Sequence, residues 1–244
     1  MEKKFLYFDT ETTDAQIKDI IQLAFITDGD VQLNQYFKPK QDITFPAMAI
    51  HHITPEFVMD KPQFEDTSLP KENIDTDYKG DGFIEYLKFL SEKYIWVAHN
   101  AQFDAKVLAR QGIYLPNLIC TYKLSRNIFS NDGYDLDSYS LQYLRYYLGL
   151  YKKENTDHNT AHDAYSDVHF LKDLFHHIQD SSSLTVENML TISKDPAVMR
   201  SFNFGKYFGK TLEDVARMDP EYIQWLLRES RDEDLKYNLQ RIVG

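Results

Sequence analysis

Every position from 5 to 8 is apolar or aromatic, and this run then ends on Asp9-Thr10-Glu11-Thr12. Such a run predicts a strand buried on both faces. Side chains two apart on a strand point the same way, so Asp9 and Glu11 leave the end of the sheet side by side. Two more strands are predicted at residues 17–27 and 31–37, joined by the turn residues Asp28-Gly29-Asp30, so the chain opens as a meander. The segment Phe45-Pro46-Ala47-Met48-Ala49-Ile50-His51-His52-Ile53-Thr54-Pro55 interrupts the pattern and reads as a short helix and loop. Residues from about 60 to 81 are polar and read as a surface loop.

Further on, Phe83, Ile84, Leu87 and Leu90 recur at helical spacing, which predicts an amphipathic helix over 83–93. Tyr94-Ile95-Trp96-Val97-Ala98 predicts another buried strand. It runs into His99-Asn100-Ala101-Gln102-Phe103-Asp104, where Asn100 is read as the N-cap of a helix carrying Ala105, Leu108 and Ala109 inward and ending at Gly112. A short strand at 118–121 and a helix with Lys123 and Arg126 on one side come next. A tyrosine-rich helix at 138–148, closed by Gly149, follows, and its Tyr143, Tyr146 and Tyr147 are read as packing residues. Thr160 and Asp163 have the spacing of a capping-box-like start to a long helix reaching about 178, with His162 in its first turn. Strand-helix alternation after a meander predicts an α/β class, a sheet with helices on its faces.

Residues 179–183 lose apolar periodicity and gather serines, the best linker signal in the chain. A short helix is predicted at 186–192. The tail then reads as a glycine-turned β-ribbon over 202–210 and two helices, the second opened by Asp219 as cap with Pro220 after it. Gly205 and Gly209 have three residues between them where a triphosphate-binding loop has four, which excludes that function. Lys206, Tyr207 and Lys210 are candidates for touching a nucleic-acid backbone, or are parts of a structural hairpin. The expected division is 1–180, 181–198 as a connecting segment, and 199–244 as a small C-terminal module.

Composition narrows the function classes. A chain of 244 residues with 43% hydrophobic content can bury a full core. Its single cysteine, Cys120, allows no internal disulfide, and no Cys/His spacing resembles a structural zinc site. No apolar stretch is long enough to cross a bilayer, and Met1-Glu2-Lys3-Lys4 leads into a strand, so the expectation is a soluble, cytoplasmic protein without a membrane partner. A formal net charge of −11 argues against a broad basic nucleic-acid-binding surface. It leaves room for a nuclease that gathers carboxylates around metal cations, because the cations then attract the phosphates.

Taken singly, an Asp-x-Glu pair is most often two solvated acids, a first-turn Asp104 is ordinary helix-dipole chemistry, and His51 and His52 are more often polar surface residues. The set is more informative. Anions about 4 Å apart repel by roughly 4 kcal/mol at a surface-like dielectric, so something positive is expected between Asp9 and Glu11. With Asp104 after the next buried strand, and His162 and Asp167 at a late helix, four acids and one histidine lie at element ends. That is what a two-metal phosphodiesterase requires. Two divalent ions about 3.5–4 Å apart stabilise the attacking and leaving oxygens, and oxygen ligands suit Mg²⁺ or Mn²⁺.

Asp9-Thr10-Glu11, His99-Asn100-Ala101-Gln102-Phe103-Asp104 and His162-x-Ala164-x-x-Asp167 resemble, in order and approximate spacing, the three exonuclease motifs of the DEDD superfamily in its histidine subgroup, DEDDh. The tyrosine subgroup needs tyrosine at position 163, which holds Asp. Ala47-Met48-Ala49-Ile50-His51-x-Ile53-Thr54, Cys120-Thr121-x-Lys123-Leu124 and the tail Phe202-x-Phe204-Gly205-Lys206-Tyr207-x-Gly209-Lys210 with Asp219-Pro220-x-Tyr222 resemble the exodeoxyribonuclease X branch. Proofreading subunits and RNA-trimming relatives generally lack that tail. The longer loop around 60–81 and Asp14-Ala15-Gln16 depart from the pattern where duplex DNA would be handled.

The resemblance implies a ribonuclease H-like fold, a mixed central sheet flanked by helices with a small C-terminal β-ribbon and helix module. It implies a 3′–5′ exodeoxyribonuclease that releases nucleoside 5′-monophosphates from DNA 3′ ends, single- or double-stranded, in DNA repair. Two divalent cations, Mg²⁺ or Mn²⁺, would be held by Asp9, Glu11, Asp104 and Asp167, with Asp9 bridging and Asp104 acting directly or through water. His162 would take a proton from the attacking water. The implied substrate contacts are Thr10, Thr12, His51, Asn100, Phe103, Lys123 and Arg126. Of these, His51 and Phe103 would flank the terminal nucleotide, Thr12 would lie near the 3′ hydroxyl, and Lys123 or Arg126 would meet the phosphates. No obligatory polymerase partner is implied, and a homodimer is left open. The alternatives are an exoribonuclease or a polymerase proofreading subunit with the same chemistry, and a non-catalytic nucleic-acid-end binder on the same fold.

Overall fold

Five strands form one sheet in the computed structural model, which describes residues 4–14, 16, 19–130, 133–153 and 164–244. β1 (Phe5–Thr12), β2 (Ile20–Thr27) and β3 (Gln32–Tyr36) make the antiparallel meander. β4 (Ile95–Ala98) and β5 (Leu118–Cys120) add on the other side of β1 in parallel, giving the order β3-β2-β1-β4-β5. Parallel neighbours need crossover connections. Between β3 and β4 the chain passes through α1 (Phe45–His51), α2 (Pro55–Val58), the loop at 60–81 and α3 (Phe83–Lys93), and between β4 and β5 through α4 (Gln102–Arg110).

Alternation along β1 sorts the two cores. Leu6 and Phe8 join Trp96, Leu87, Leu90, Val107 and Leu108 on the face covered by α3 and α4. Phe5 and Tyr7 join Val97, Leu124, Leu144, Val168, Leu171 and Phe175 on the other face. That second face is covered by α5 (Thr121–Ile128), α6 (Leu141–Tyr147), α7 (Ala164–Ser181) and α8 (Val186–Lys194). Odd-numbered β1 residues therefore look toward α7 and even-numbered ones toward α4, and this parity decides where each acid goes.

Three local expectations change. Asn100 is not the N-cap of α4; Ala101 holds that position, and Asn100 turns the chain in the left-handed region at φ 59° while its carbonyl accepts from the Phe103 amide. Asn tolerates that conformation better than most residues, so it serves the turn. Helix α7 continues through Ser181, and α8 packs against β5 and α5, so 179–183 is not an open linker. The ribbon expected at 202–210 is reduced to one antiparallel bridge between Ser201 and Thr211, with no strand inside the segment. Gly205 and Gly209, at φ 64° and 78°, fold it into a one-turn 3-10 helix, Gly205–Tyr207, closed by hydrogen bonds between Phe202 and residues 209 and 210.

After that turn come α9 (Leu212–Met218), α10 (Pro220–Glu229) and α11 (Glu233–Val243), one helix more than the two predicted. Their apolar faces make a separate small core with Phe202. Segment 197–201 fastens this module to the sheet domain. The Asp135 carboxylate accepts from the Arg126 guanidinium at 2.7 Å and from the Arg200 and Ser201 amides at 2.8 and 3.0 Å. On the other side Asn238 exchanges hydrogen bonds with the backbone of Ala197 and Met199. Among the described residues no helix is long and apolar enough to cross a membrane.

Candidate active site

Asp9 and Glu11 continue the β1 face that α7 covers, and α7 brings Asp167 to them from its first turn. One carboxylate oxygen from each of Asp9, Glu11 and Asp167 lies within 4.8 Å of the others, and all three residues are half-buried. Gln22 sets the start of this helix, since its Oε1 accepts from the Ala164 amide at 3.4 Å while its Nε2 donates to Asn34. Gln22 pairs with Glu11 across β1 and β2, and the register slips between Glu11 and Thr12, the kind of irregularity that re-aims side chains beside a site.

Asp104 arrives from the opposite face. It lies on α4, so it meets the even-numbered Thr10, whose amide and hydroxyl donate to Asp104 Oδ1 at 3.1 and 2.6 Å. Asp104 is only 3% exposed. Burial pushes its carboxyl up to about 7, against the smaller lowering effect of the Thr10 hydrogen bonds. Parity thus explains why Asp104 stands outside the 4.8 Å cluster. Thr10 is its positioning partner, whereas the sequence reading made Thr10 a substrate contact.

The remaining sequence candidates separate into two groups. His51, at the end of α1, is buried, and its Nδ1 accepts from the Ile53 amide at 3.0 Å. Burial lowers its pKa, only partly offset by the Thr12 backbone, so the ring is neutral and its proton sits on Nε2. That Nε2 is buried and closes no full hydrogen bond among the described residues, with the Thr12 backbone the polar group that acts on it. Helix α1 is tied to the end of β1 by the Thr44 amide and hydroxyl, which donate to the Thr13 carbonyl. Thr12 is buried and donates to the Asp14 carbonyl at 2.9 Å. Phe103 is partly buried against the α3–α4 core, and Asn100 is exposed.

Lys123 and Arg126 do not belong with these residues. Lys123 is 9% exposed and donates to the Ser193 and Asp195 carbonyls; Arg126 is 1% exposed and donates to the Val198 carbonyl and Asp135. The two cations hold the last turn of α8 and the segment that follows it, which corrects their assignment to DNA phosphates. One side of a helix read from sequence gives no information on whether solvent or a later segment covers it. His162 lies outside the described residues.

His99, in the second motif, is structural. Its Nε2 donates to the Tyr139 carbonyl at 2.8 Å, which leaves Nδ1 to accept from the Thr121 hydroxyl at 2.9 Å. Burial lowers its pKa to about 4, so it stays neutral. The sequence reading missed Gln142 of α6, whose Nε2 donates to Asp167 Oδ1 at 2.8 Å. The available signal was slight, a polar residue on a tyrosine-rich helix.

Half-buried carboxylates within 4.8 Å of one another are compatible with a divalent cation, since hard oxygen donors suit such ions. The exonuclease family profile matches residues 6–175, and a profile described as exodeoxyribonuclease X-like C-terminal matches residues 202–231. Exodeoxyribonuclease 10 of Escherichia coli K12 is 33% identical over 246 aligned residues, 96% of each chain. DNA polymerase III subunit epsilon of Buchnera aphidicola from Acyrthosiphon pisum is 26% identical over 71% of each chain. Among solved structures, exonuclease X in complex with 5′ overhanging duplex DNA matches with a TM-score of 0.54 at 27% identity, covering 78% of this chain and 99% of that one. The nuclease domain of 3′hExo, a DEDDh family member bound to rAMP, shares the fold at a TM-score of 0.51 and 13% identity, covering 75% of this chain and 95% of that one. With both profiles matched in one chain and the acids converging at the end of a ribonuclease H-like sheet, this chain belongs to the exonuclease family, in its exodeoxyribonuclease X branch.

Proposed function

We propose that this chain is a metal-dependent 3′–5′ exodeoxyribonuclease that removes nucleoside 5′-monophosphates from DNA 3′ ends, with a role in DNA repair. The observation that carries the reading is the meeting of Asp9 and Glu11 from β1 with Asp167 from α7, in a chain related along nearly its whole length to exodeoxyribonuclease 10. Residues 1–180 are taken as the nuclease domain and 199–244 as a module docked on it through segment 181–198.

Asp9, Glu11 and Asp167 would hold two divalent cations, Mg²⁺ or Mn²⁺, with Asp104 acting through water from its Thr10 anchor. When bound, such ions neutralise phosphate charge and stabilise the attacking and leaving oxygens of an in-line displacement. His162 takes the proton of the attacking water, which requires a neutral imidazole. His51 is neutral with its proton on Nε2, where no full hydrogen bond is closed among the described residues, so it offers that proton to the terminal nucleotide. Phe103 lies beside Asp104 on α4 and borders the same terminus, while Thr12 lies at the end of β1 for the 3′ hydroxyl.

Digestion of DNA labelled at the 3′ or the 5′ end, with and without chelator, tests the reading. The 3′ label is expected to leave at once as a mononucleotide while the 5′ label shortens stepwise, and chelator stops both. His162→Ala is expected to cut turnover by about 10²–10⁴ while DNA is still bound. Internal cleavage products, or full activity in chelator, would overturn the proposal.

A further inference from the structure

Asp167 is oriented from a second helix. Gln142 sits in the first turn of α6, and Arg145 lies one turn later on the same side. On α7, Asp167 and Phe170 have the same three-residue spacing. The two pairs meet in register: Gln142 Nε2 donates to Asp167 Oδ1 at 2.8 Å, and the Arg145 guanidinium carbon lies 3.8 Å from the centroid of the Phe170 ring. The pairs are also joined to each other, because Arg145 Nη1 donates to Gln142 Oε1 at 3.0 Å.

Donor and acceptor types leave one arrangement. An arginine only donates and an ionised carboxylate only accepts, so an amide between them must turn its oxygen to Arg145 and its nitrogen to Asp167. Arg145 is 5% exposed and its guanidinium is fixed against the aromatic ring, so the amide is oriented by a group that itself cannot swing. The charges fit the same logic. The Gln142 amide is neutral, so this contact fixes the Asp167 carboxylate without itself adding a positive charge beside it.

We propose that Gln142, held by Arg145, is a positioning residue that fixes Asp167 for divalent-cation binding. This rests on the reading that Asp9, Glu11 and Asp167 hold such cations. Partners of this outer kind change metal affinity by about 10–100-fold when removed. Gln142 is half-buried and its side-chain amide joins Asp167 and Arg145, so its effect on cation binding is read apart from folding by a melting temperature taken in chelator.

The test is Mn²⁺ binding to the whole chain, read by electron paramagnetic resonance of free Mn²⁺ and by calorimetry, in the parent, Gln142→Met, Gln142→Asn and Asp9→Ala. Gln142→Met keeps length and volume without the donor. It is expected to weaken Mn²⁺ binding 10–100-fold with its melting temperature in chelator within about 2 °C of the parent. Raising Mn²⁺ is expected to return its turnover to within about threefold. Gln142→Asn keeps the amide on a shorter stem and is expected to weaken binding as well, so the comparison survives if Gln142→Met does not fold. Mn²⁺ affinity within twofold of the parent in a folded Gln142 variant would overturn the proposal. Unchanged affinity in Asp9→Ala would instead overturn the metal-site reading on which it rests.

Discussion

Two aspartates lie buried at opposite ends of the same sheet and are treated in opposite ways. Asp75, 4% exposed, sits where β4 begins and accepts from Lys93 Nζ at 2.6 Å and from the Tyr94 hydroxyl at 2.7 Å. Burial pushes its carboxyl up, but the Lys93 and Tyr94 hydrogen bonds outweigh that and hold it below the usual carboxylate range. Asp104, 3% exposed, sits past the other end of β4, and among the described residues its side chain is hydrogen-bonded by the uncharged amide and hydroxyl of Thr10. Burial wins there and lifts the carboxyl to about 7. One acid is neutralised by the protein itself. The other fits a place where charge is completed from outside.

Cavity size alone does not mark the functional end. A cleft of about 590 Å³ opens at the Asp75 end, lined by Lys4, Asp28, Asp30, Asp75, Asp77 and Lys93 among others. Three of these acids are met by the chain's own cations, for Lys93 bridges Asp75 and Asp77 and Lys172 reaches Asp28. The converging acids Asp9, Glu11 and Asp167 come from β1 and α7 and do not line that cleft.

Exchanging roles is the sharpest way to break this contrast. Asp104→Asn is expected to lower turnover about 10–100-fold, the range for a residue acting through an outer contact. It should also raise thermal stability above pH 7, because a buried carboxylate no longer has to ionise. Asp75→Asn is expected to do the reverse, leaving turnover within about twofold and costing about 2 kcal/mol. That is less than the 3–5 kcal/mol for breaking a fully buried pair, because the Lys93 side chain is 20% exposed. Denaturant titration and a steady-state assay on both variants read the pattern, and equal effects on stability would remove the distinction.

Arg126→Met extends the comparison to a third, fully internal pair. Arg126 and Asp135 side chains are each 1% exposed, but Asp135 keeps its backbone donors when the guanidinium is gone. A loss of about 3 kcal/mol is expected, with cleavage of single nucleotides from short oligonucleotides unchanged. Had Arg126 been a phosphate contact, the Michaelis constant for DNA would rise instead.

The smallest expected effect is in the C-terminal module. Hydrogen bonds from Tyr207, Lys206 and the Tyr222 amide hold the Asp219 carboxyl down to about 2. Its folded value lies below the unfolded reference of about 3.9, so the unfolded chain binds more protons in between. The contribution is complete above about pH 4 and is lost as the pH falls toward 2. Trp225, stacked on Tyr222 at 5.7 Å, reports this by fluorescence in a Trp96→Phe background. A pH-independent signal over that range would detach Asp219 from the module's stability.

Much of this was legible from residue patterning. The apolar run before Asp9 set β1, and period-two alternation placed Asp9 and Glu11 on one face. The same alternation placed Thr10 on the other, so the Asp104–Thr10 contact was within reach of the sequence once α4 was assigned to that face. Lys123 and Arg126 were misread because their partners lie about seventy residues later, in carbonyls that no local pattern announces. Gln142 was missed for the same reason, since its meaning comes from α7. The glycines at 205 and 209 signalled turns, but the choice between a ribbon and a 3-10 turn depended on Phe202 closing onto residues 209 and 210.

In the proposed mechanism the carboxylates of β1 and α7 form a cation site at one end of the sheet. A crystal of the whole chain soaked in Mn²⁺ and measured at an anomalous wavelength tests it most directly. Anomalous density is expected between Asp9, Glu11 and Asp167, at about 2.0–2.2 Å from their oxygens, and none at Asp75. Density at the Asp75 end alone, or none beside Asp9 at a concentration that supports turnover, would contradict it.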